Sequence, residues 1–450
     1  MHAIIHGKTH ESEELILSKD KLPTGRWSRL ATAVGAGARS GMNLLQGNDG
    51  EAAAKKAAQA LGQLRGIAAK VGQMASYVDG VVPEGKSDAY EKWMKKLRDQ
   101  APRSSSTAIA TLIQEELGAG VETLFSEWES EAVASASIGQ VHRARLPDGR
   151  SVAVKVQHPG IGSAIESDLK SAGLIEGTLG LVAGTRKFNS KAVLEEIRAR
   201  FREELRYDLE AERQTRFRNM FAEIPEIIVP EVITELSSGR VLTTEWMSGV
   251  DFDAACAASV DERRAWAETL WHFVYRSNLM GGLFNADPHP GNYIFQSAGR
   301  IAFIDFGCVQ PIPRQKITAA RHMHWAARHG DLDAFDQAAI QLLDLQGGRY
   351  QHSALQYVRE CFRPLIESPF QVTRPFVVGL VDRMKDMILE YRKAENDGYV
   401  PLPDGLFFVN RLQFGFYSVL ARLNVKADFA AVEQKFLTAE VRDQALDEQP

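Results

Sequence analysis

Residues 284–307, FNADPHPGNYIFQSAGRIAFIDFG, constrain this chain more than any other stretch. They set Asp287 and Asn292 in the spacing D-x-x-x-x-N, then run through a short apolar strand, 301–304, into Asp305-Phe306-Gly307. A hairpin pairing 293–295 with 301–304 across Ser297-Ala298-Gly299 brings Asn292 and Asp305 to one end. Phosphoryl transfer requires a carboxylate near the attacking oxygen, and a second carboxylate plus an amide oxygen to hold Mg²⁺ against nucleotide phosphates. Mg²⁺ is a hard cation that takes oxygen ligands, so Asp and Asn suit it where His and Cys would not. Each piece alone is an ordinary turn or a three-letter coincidence. Their combination, with the hairpin between them, points to a catalytic loop: Asp287 beside the acceptor, Asn292 and Asp305 on the metal.

Such a site needs a cover and an anchor for the phosphates. Residues 138–145 and 151–156 alternate or run apolar around Pro147-Asp148-Gly149, a hairpin signal. The second strand ends Val152-Ala153-Val154-Lys155, the pattern that places a lysine on nucleotide phosphates. Just before the first strand, Ala134-Ser135-Ala136-Ser137 supplies small residues that let a backbone close over phosphates. The lysine needs a carboxylate from a neighbouring helix. Segment 190–220, with Val193, Leu194, Ile197, Phe201, Leu205 and Leu209 as its buried stripe, offers Glu203, Glu204 and Glu210, and helical spacing alone does not choose among them. Two further strands, 227–229 and 241–244, flank Ser237-Ser238-Gly239. Glu245-Trp246-Met247 then connects to a helical second lobe, its backbone amides placed for an adenine edge.

The remaining chain is mostly helical. From residue 51, Leu61, Leu64, Ala68, Val71, Ala75 and Val78 form one apolar stripe, with Lys70 and Gln73 projecting together beside it. Gly72 between them lowers helix propensity by ~1 kcal/mol relative to Ala, which suits close approach of a backbone or ligand. Trp93, Met94 and Leu97 mark a second helix. A third follows Ser105-Ser106, with Ile109, Leu112, Ile113 and Leu117 inside and Gly118 as its stop. Ala265 to Leu279 is helical and leads into the catalytic loop. After Gly307 only 308–314 precede renewed helical pattern, with no A-P-E triplet and no long Ser/Thr-bearing segment of the kind that binds peptide substrates, and the rest reads as helices that include 332–343, 355–365, 376–391 and 407–423. That favours a small molecule, a lipid, or plain nucleotide hydrolysis. The expected organisation is a leader (1–50), a helical extension (51–130), a small β-rich lobe (131–246), a helical lobe (247–440) and a frayed tail (441–450).

Composition excludes several classes. With 53 basic against 58 acidic residues the net charge is −5, which gives no electrostatic case for nucleic acid. Cys256, Cys308 and Cys361 are too widely spaced for a zinc site or a disulfide framework, which points to a reducing cytoplasm. No apolar run reaches the ~18 residues of a membrane-spanning helix. Residues 27–45 are mildly basic and amphipathic, suited to a docked helix or to a lipid surface.

Taken together the motifs resemble the UbiB (AarF) family of atypical protein-kinase-like proteins, over about residues 70–309. Lys70-Val71-Gly72-Gln73 matches its K-x-G-Q motif, and Ala134-Ser135-Ala136-Ser137-Ile138-Gly139-Gln140-Val141-His142 its alanine-rich nucleotide loop. The pattern E-x-D-Y-x-x-E-A appears as Glu204-Leu205-Arg206-Tyr207-Asp208-Leu209-Glu210-Ala211, which selects Glu204 as the partner of Lys155. Ser135 stands where the family usually has alanine, and Arg206 where it usually has aspartate. The resemblance implies an α+β, bilobal kinase-like fold with the helical extension across the pocket, Lys70 and Gln73 gating it. It implies ATP (or ADP) and Mg²⁺ as cofactors, and action on or stimulation by a lipid or phenolic quinone precursor in support of ubiquinone synthesis. Further expectations are peripheral contact with the inner membrane and a biosynthetic complex or homodimer. Two rivals stand beside this reading. Aminoglycoside- or choline-kinase-type phosphotransferases have similar D-x-H-P-G-N and I-D-F loops but not the K-x-G-Q helix. A catalytically idle nucleotide-binding scaffold has no need of Lys155, Asp287, Asn292 and Asp305 together.

Overall fold

The computed structural model of the protein describes residues 103–135, 138–166, 199, 202–393 and 406–444. The leader, Lys70, Gln73, Ala136 and Ser137 lie outside the described residues.

The chain enters through α1 (Ser106–Leu117), as its sequence signals require. The Ser105 hydroxyl accepts the Ala108 N–H at the start, and Gly118 ends the helix at φ +77°. Ile109, Leu112 and Ile113 form the buried face. After α2 (Val121–Leu124) come β1 (Glu127–Trp128), β2 (Ala134–Ser135), β3 (Gly139–Arg145) and β4 (Ser151–Gln157). β3 and β4 are antiparallel, joined through Gly149 at φ +91°, and β6 (Val241–Glu245) pairs with the far edge of β4. The sheet order is β1-β3-β4-β6, with β2 also on β3. Alternation along β4 decides the function of each face. Val152, Val154 and Val156 pack beneath α1 with Ile109, Leu112 and Ile113, so Ser151, Ala153 and Lys155 must face the opposite side.

Segment 190–220 is not one helix where it is described. The chain leaves helical geometry at Arg206 (φ −110°, ψ 88°) and restarts as α3 (Tyr207–Met220), the Tyr207 N–H donating to Gly239 O. β5 (Ile227–Ile228) does not join β6 in one sheet; it pairs parallel with β9 (Ile301–Phe303), which is antiparallel to β8 (Tyr293–Phe295). α4 (Phe252–Cys256) and α5 (Val260–Leu279) follow β6, and Ser259 and Glu262 close a capping box on α5. β7 (Leu283–Asn285) pairs with β10 (Val309–Pro311). The helical lobe is completed by α6 (Arg314–His329), α7 (Leu332–Leu343), α8 (Gly348–Cys361), α9 (Arg363–Ile366), α10 (Arg374–Lys393) and α11 (Leu406–Leu423). A short pair, β11 (Phe370–Gln371) with β12 (Lys426–Ala427), precedes α12 (Phe429–Gln434) and α13 (Ala439–Asp443). One apolar core runs from Phe217 of α3 through Trp271 and Phe273 of α5 to Phe303, Phe306 and Phe416. It seats the β8–β9 hairpin on α5, with the Phe273 and Phe303 rings stacked at 3.6 Å between centroids. The result is an α+β fold with an antiparallel-sheet lobe and a helical lobe. Among the described residues no helix is long and apolar enough to cross a membrane.

Candidate active site

The face of β4 turned away from α1 carries Lys155 into the cleft. Its ammonium lies 2.7 and 2.9 Å from the two carboxylate oxygens of Glu210 and 3.5 Å from Asp305 Oδ2, above the Tyr207 ring at 5.0 Å. Burial by itself disfavours the ammonium, but Asp305 and Glu210 outweigh it and hold the Lys155 pKa well above the usual lysine range. Burial, with the like charge of Asp305, pushes the Glu210 carboxyl up against the pull of Lys155. Two carboxylates thus share one ammonium.

The partner of Lys155 is Glu210, not Glu204. The break at Arg206 is the reason: Glu204 lies before α3, whereas Glu210 sits in its first turn, only 3% exposed and facing β4. Glu203, the third candidate, instead pairs with Arg213 at 2.7 Å.

The hairpin of β8 and β9 has the anticipated register, Tyr293 opposite Phe303, and the Ile304 N–H donates to Asn292 O at 3.1 Å. Asn292 and Asp305 therefore stand at the same end. The Asn292 amide nitrogen donates to Asp287 O, so only its oxygen is left to offer a cation. Asp305 accepts the Gly307 N–H on Oδ1, and its backbone carbonyl is held by the Asn285 amide, which also accepts the Asp287 N–H. Asp305 remains 31% exposed, reachable from solvent. A carboxylate and an amide oxygen at one end of the hairpin form a donor set that fits Mg²⁺. Asp287 lies within electrostatic reach of Tyr293, whose hydroxyl pKa is driven up by burial and by that carboxylate. Pro288 is braced from behind by α11, where Gly415 comes so close that a Cβ would stand 2.6 Å from the proline ring.

The cover and the base edge are partly as expected. Ala134 and Ser135 form β2, in register with Val141 and Gln140 of β3. Gly139 is required there, since a Cβ would lie 2.5 Å from Val156 O and 2.6 Å from the Tyr207 hydroxyl. The Glu245 amide is already engaged: its N–H donates to Glu231 O, and the Trp246 N–H donates to Ser151 O. The strand edge thus occupies the first two donors expected to meet adenine, and Met247 is the residue beyond them.

With this geometry in place, likenesses to other proteins have a structural meaning. Residues 96–339 match the model of the ABC1 atypical kinase-like domain. The chain is 25% identical over 468 residues to atypical kinase COQ8, mitochondrial, of Saccharomyces cerevisiae, covering 97% of this chain and 90% of that one. It is 34% identical over 284 residues to uncharacterized protein sll0005 of Synechocystis, of whose length it spans 40%. Among solved structures, the complex of Rv3197 with erythromycin from Mycobacterium tuberculosis superposes with a TM-score of 0.59 at 26% identity, over 81% of this chain and 90% of that one. The kinase-like fold and the match over more than half its length place the chain in the ABC1 atypical kinase-like family, the UbiB/AarF group.

Proposed function

We propose that this chain is an ATP·Mg²⁺-dependent atypical kinase or ATPase that acts on, or is stimulated by, a lipid or small phenolic molecule and supports ubiquinone-type lipid synthesis. The observation that carries the reading is Lys155 clamped between Glu210 and Asp305 opposite an amide-bearing catalytic loop. In this reading Lys155 binds the α- and β-phosphates and Glu210 orients it. Asn292 and Asp305 hold the metal, which when bound neutralises charge on the phosphates. Asp287 orients the attacking water or acceptor hydroxyl. Ala134 to Ser137 cover the phosphates, the Met247 backbone meets the base, and Lys70 and Gln73 gate the entrance. The short connection from Gly307 to α6 supports a small or lipid acceptor, because it supplies no platform for a peptide. The lipid role rests on kinship with the COQ8 relative and on the amphipathic pattern of residues 27–45.

The test is Mg²⁺-dependent nucleotide binding and phosphate release by the wild type and Asp305→Asn, with and without liposomes and a phenolic head-group analogue. Loss of both in the variant, and stimulation of the wild type by lipid or phenol, are expected. Equal values for the two proteins would end the assignment; nucleotide binding without phosphate release under any condition would make the chain a scaffold.

A further inference from the structure

α3 does more than supply the lysine's partner. Glu210, Arg213, Gln214 and Phe217 recur at three- and four-residue steps and so share one face. Two of them hold the loop that carries Asp305. The Phe217 ring packs on the Phe306 ring at 4.9 Å between centroids, and Arg213 Nη1 donates to Gly307 O at 3.1 Å. The other arm of the guanidinium is fixed by Glu203 at 2.7 Å, with the Arg213 side chain only 15% exposed. Gly307 in turn donates its N–H to Asp305 Oδ1. A glycine has the least intrinsic restraint on its backbone, so the residue that orients the Asp305 carboxylate needs to be restrained from outside. Arg213 is that restraint. A planar fork spans a carboxylate and a carbonyl at once, which a lysine's single ammonium does not do with the same geometry.

We propose that Arg213 is a positioning residue for metal binding: by holding Gly307 O against α3 it keeps the Asp305 carboxylate aimed at the cation. It touches neither nucleotide nor metal and acts through Gly307. The inference rests on Asp305 being a metal ligand, as proposed above.

The experiment uses the full chain, a fluorescent ATP analogue, and MgCl₂ titrated from zero, with thermal melts of each protein. Arg213→Gln should raise the half-saturating Mg²⁺ for analogue binding by about tenfold, the scale of one lost charge-assisted hydrogen bond, while leaving metal-free analogue affinity and melting temperature near wild type. Glu203→Gln, which frees the guanidinium, should give a smaller rise, and Arg213→Lys an intermediate one. Arg216→Gln removes the same charge from an exposed position of α3 and should leave the Mg²⁺ dependence unchanged. A wild-type Mg²⁺ dependence in Arg213→Gln overturns the proposal. So does a parallel fall in metal-free affinity and melting temperature, which marks a purely structural role. If the wild type itself binds the analogue independently of Mg²⁺, the metal reading fails, and that result is separate from any effect of Arg213.

Discussion

Replacing Glu210 by Gln isolates the clamp on Lys155. The carboxylate meets Nζ with both oxygens, at 2.7 and 2.9 Å. Gln keeps one acceptor and turns an NH₂ donor toward the ammonium, so one charge-assisted bond is lost and the other weakened. Such a bond is worth about 1.5–3 kcal/mol, and phosphate release should fall by about 10- to 100-fold if Lys155 positions the phosphates only when held there. Stability should respond much less. Asp305 stands 3.5 Å away and can take up the ammonium, and the substitution removes a carboxylate that burial, and then the like charge of Asp305, push up. Removing a partner from a buried pair is severe when it strands a charge; here nothing is stranded, and unfolding free energy should change by no more than about 1 kcal/mol. The relaxed ammonium moves onto the metal-binding carboxylate, so the Mg²⁺ requirement should rise as well. Glu204→Gln is the matched control, and its rate should stay within about twofold of wild type, the usual reach of a substitution outside the clamp. Steady-state phosphate release across a Mg²⁺ series, with urea unfolding of each variant, gives all three quantities. Full activity in Glu210→Gln, or an equal loss in Glu204→Gln, would refute the reasoning.

Two other sites give independent tests. His272, stacked on Phe436 at 5.3 Å, has its pKa lowered by burial and by Arg276 and Lys435, from 6.5 to about 4. The unfolded chain therefore binds the extra proton first, and the stability this neutral imidazole contributes is present above pH 6.5 and lost as pH falls toward 4. After discounting for its partial exposure the loss is about 2 kcal/mol; His272→Phe should flatten that part of a urea-derived stability profile, and an unchanged profile would refute the assignment. Gly415→Ala places a methyl 2.6 Å from the Pro288 ring. Overpacking of this kind costs about 1–3 kcal/mol, and because Pro288 adjoins Asp287 phosphate release should drop with melting temperature; wild-type values for both would show that α11 does not brace the loop.

What was legible in the sequence is what local chemistry specifies. The β3–β4 hairpin, the caps of α1, and the Asn292–Asp305 hairpin each depend on residues close in the chain, and each forms as the turn and capping signals require. The errors arise where distant contacts decide. Glu204 and Glu210 both lie on a plausible helix, and the choice was made by a bond from the Tyr207 N–H to Gly239 O, which starts α3 three residues after Glu204. β5 pairs in parallel with β9, a partner more than seventy residues later, and a two-residue strand carries no periodicity that could announce this. The place of Glu245 in the connection to the helical lobe suggests an amide open to adenine, whereas its N–H donates to Glu231 O of the neighbouring segment. Gly415 gave no signal at all, since a glycine inside an apolar helix has no distinguishing pattern until Pro288 is beside it.

The same contrast explains how the loop of Asp305 is held. Where a long segment follows such a loop, its order can be switched by modification or by a partner. Here the chain passes from Gly307 directly into β10, which pairs with β7 at Val309 opposite Asn285, and Asn285 reaches back to Asp305 O. Phe306 is fully buried between Phe217 and Phe273. Turning this loop inside out would expose that ring, at a cost of about 1.5–3 kcal/mol for the lost burial, and would also break the bond from Asn285. Asp305 is thus set in its working direction by the fold itself, before any nucleotide arrives. If Asp305 holds the metal as proposed, control of the site would have to act elsewhere than on the orientation of this carboxylate.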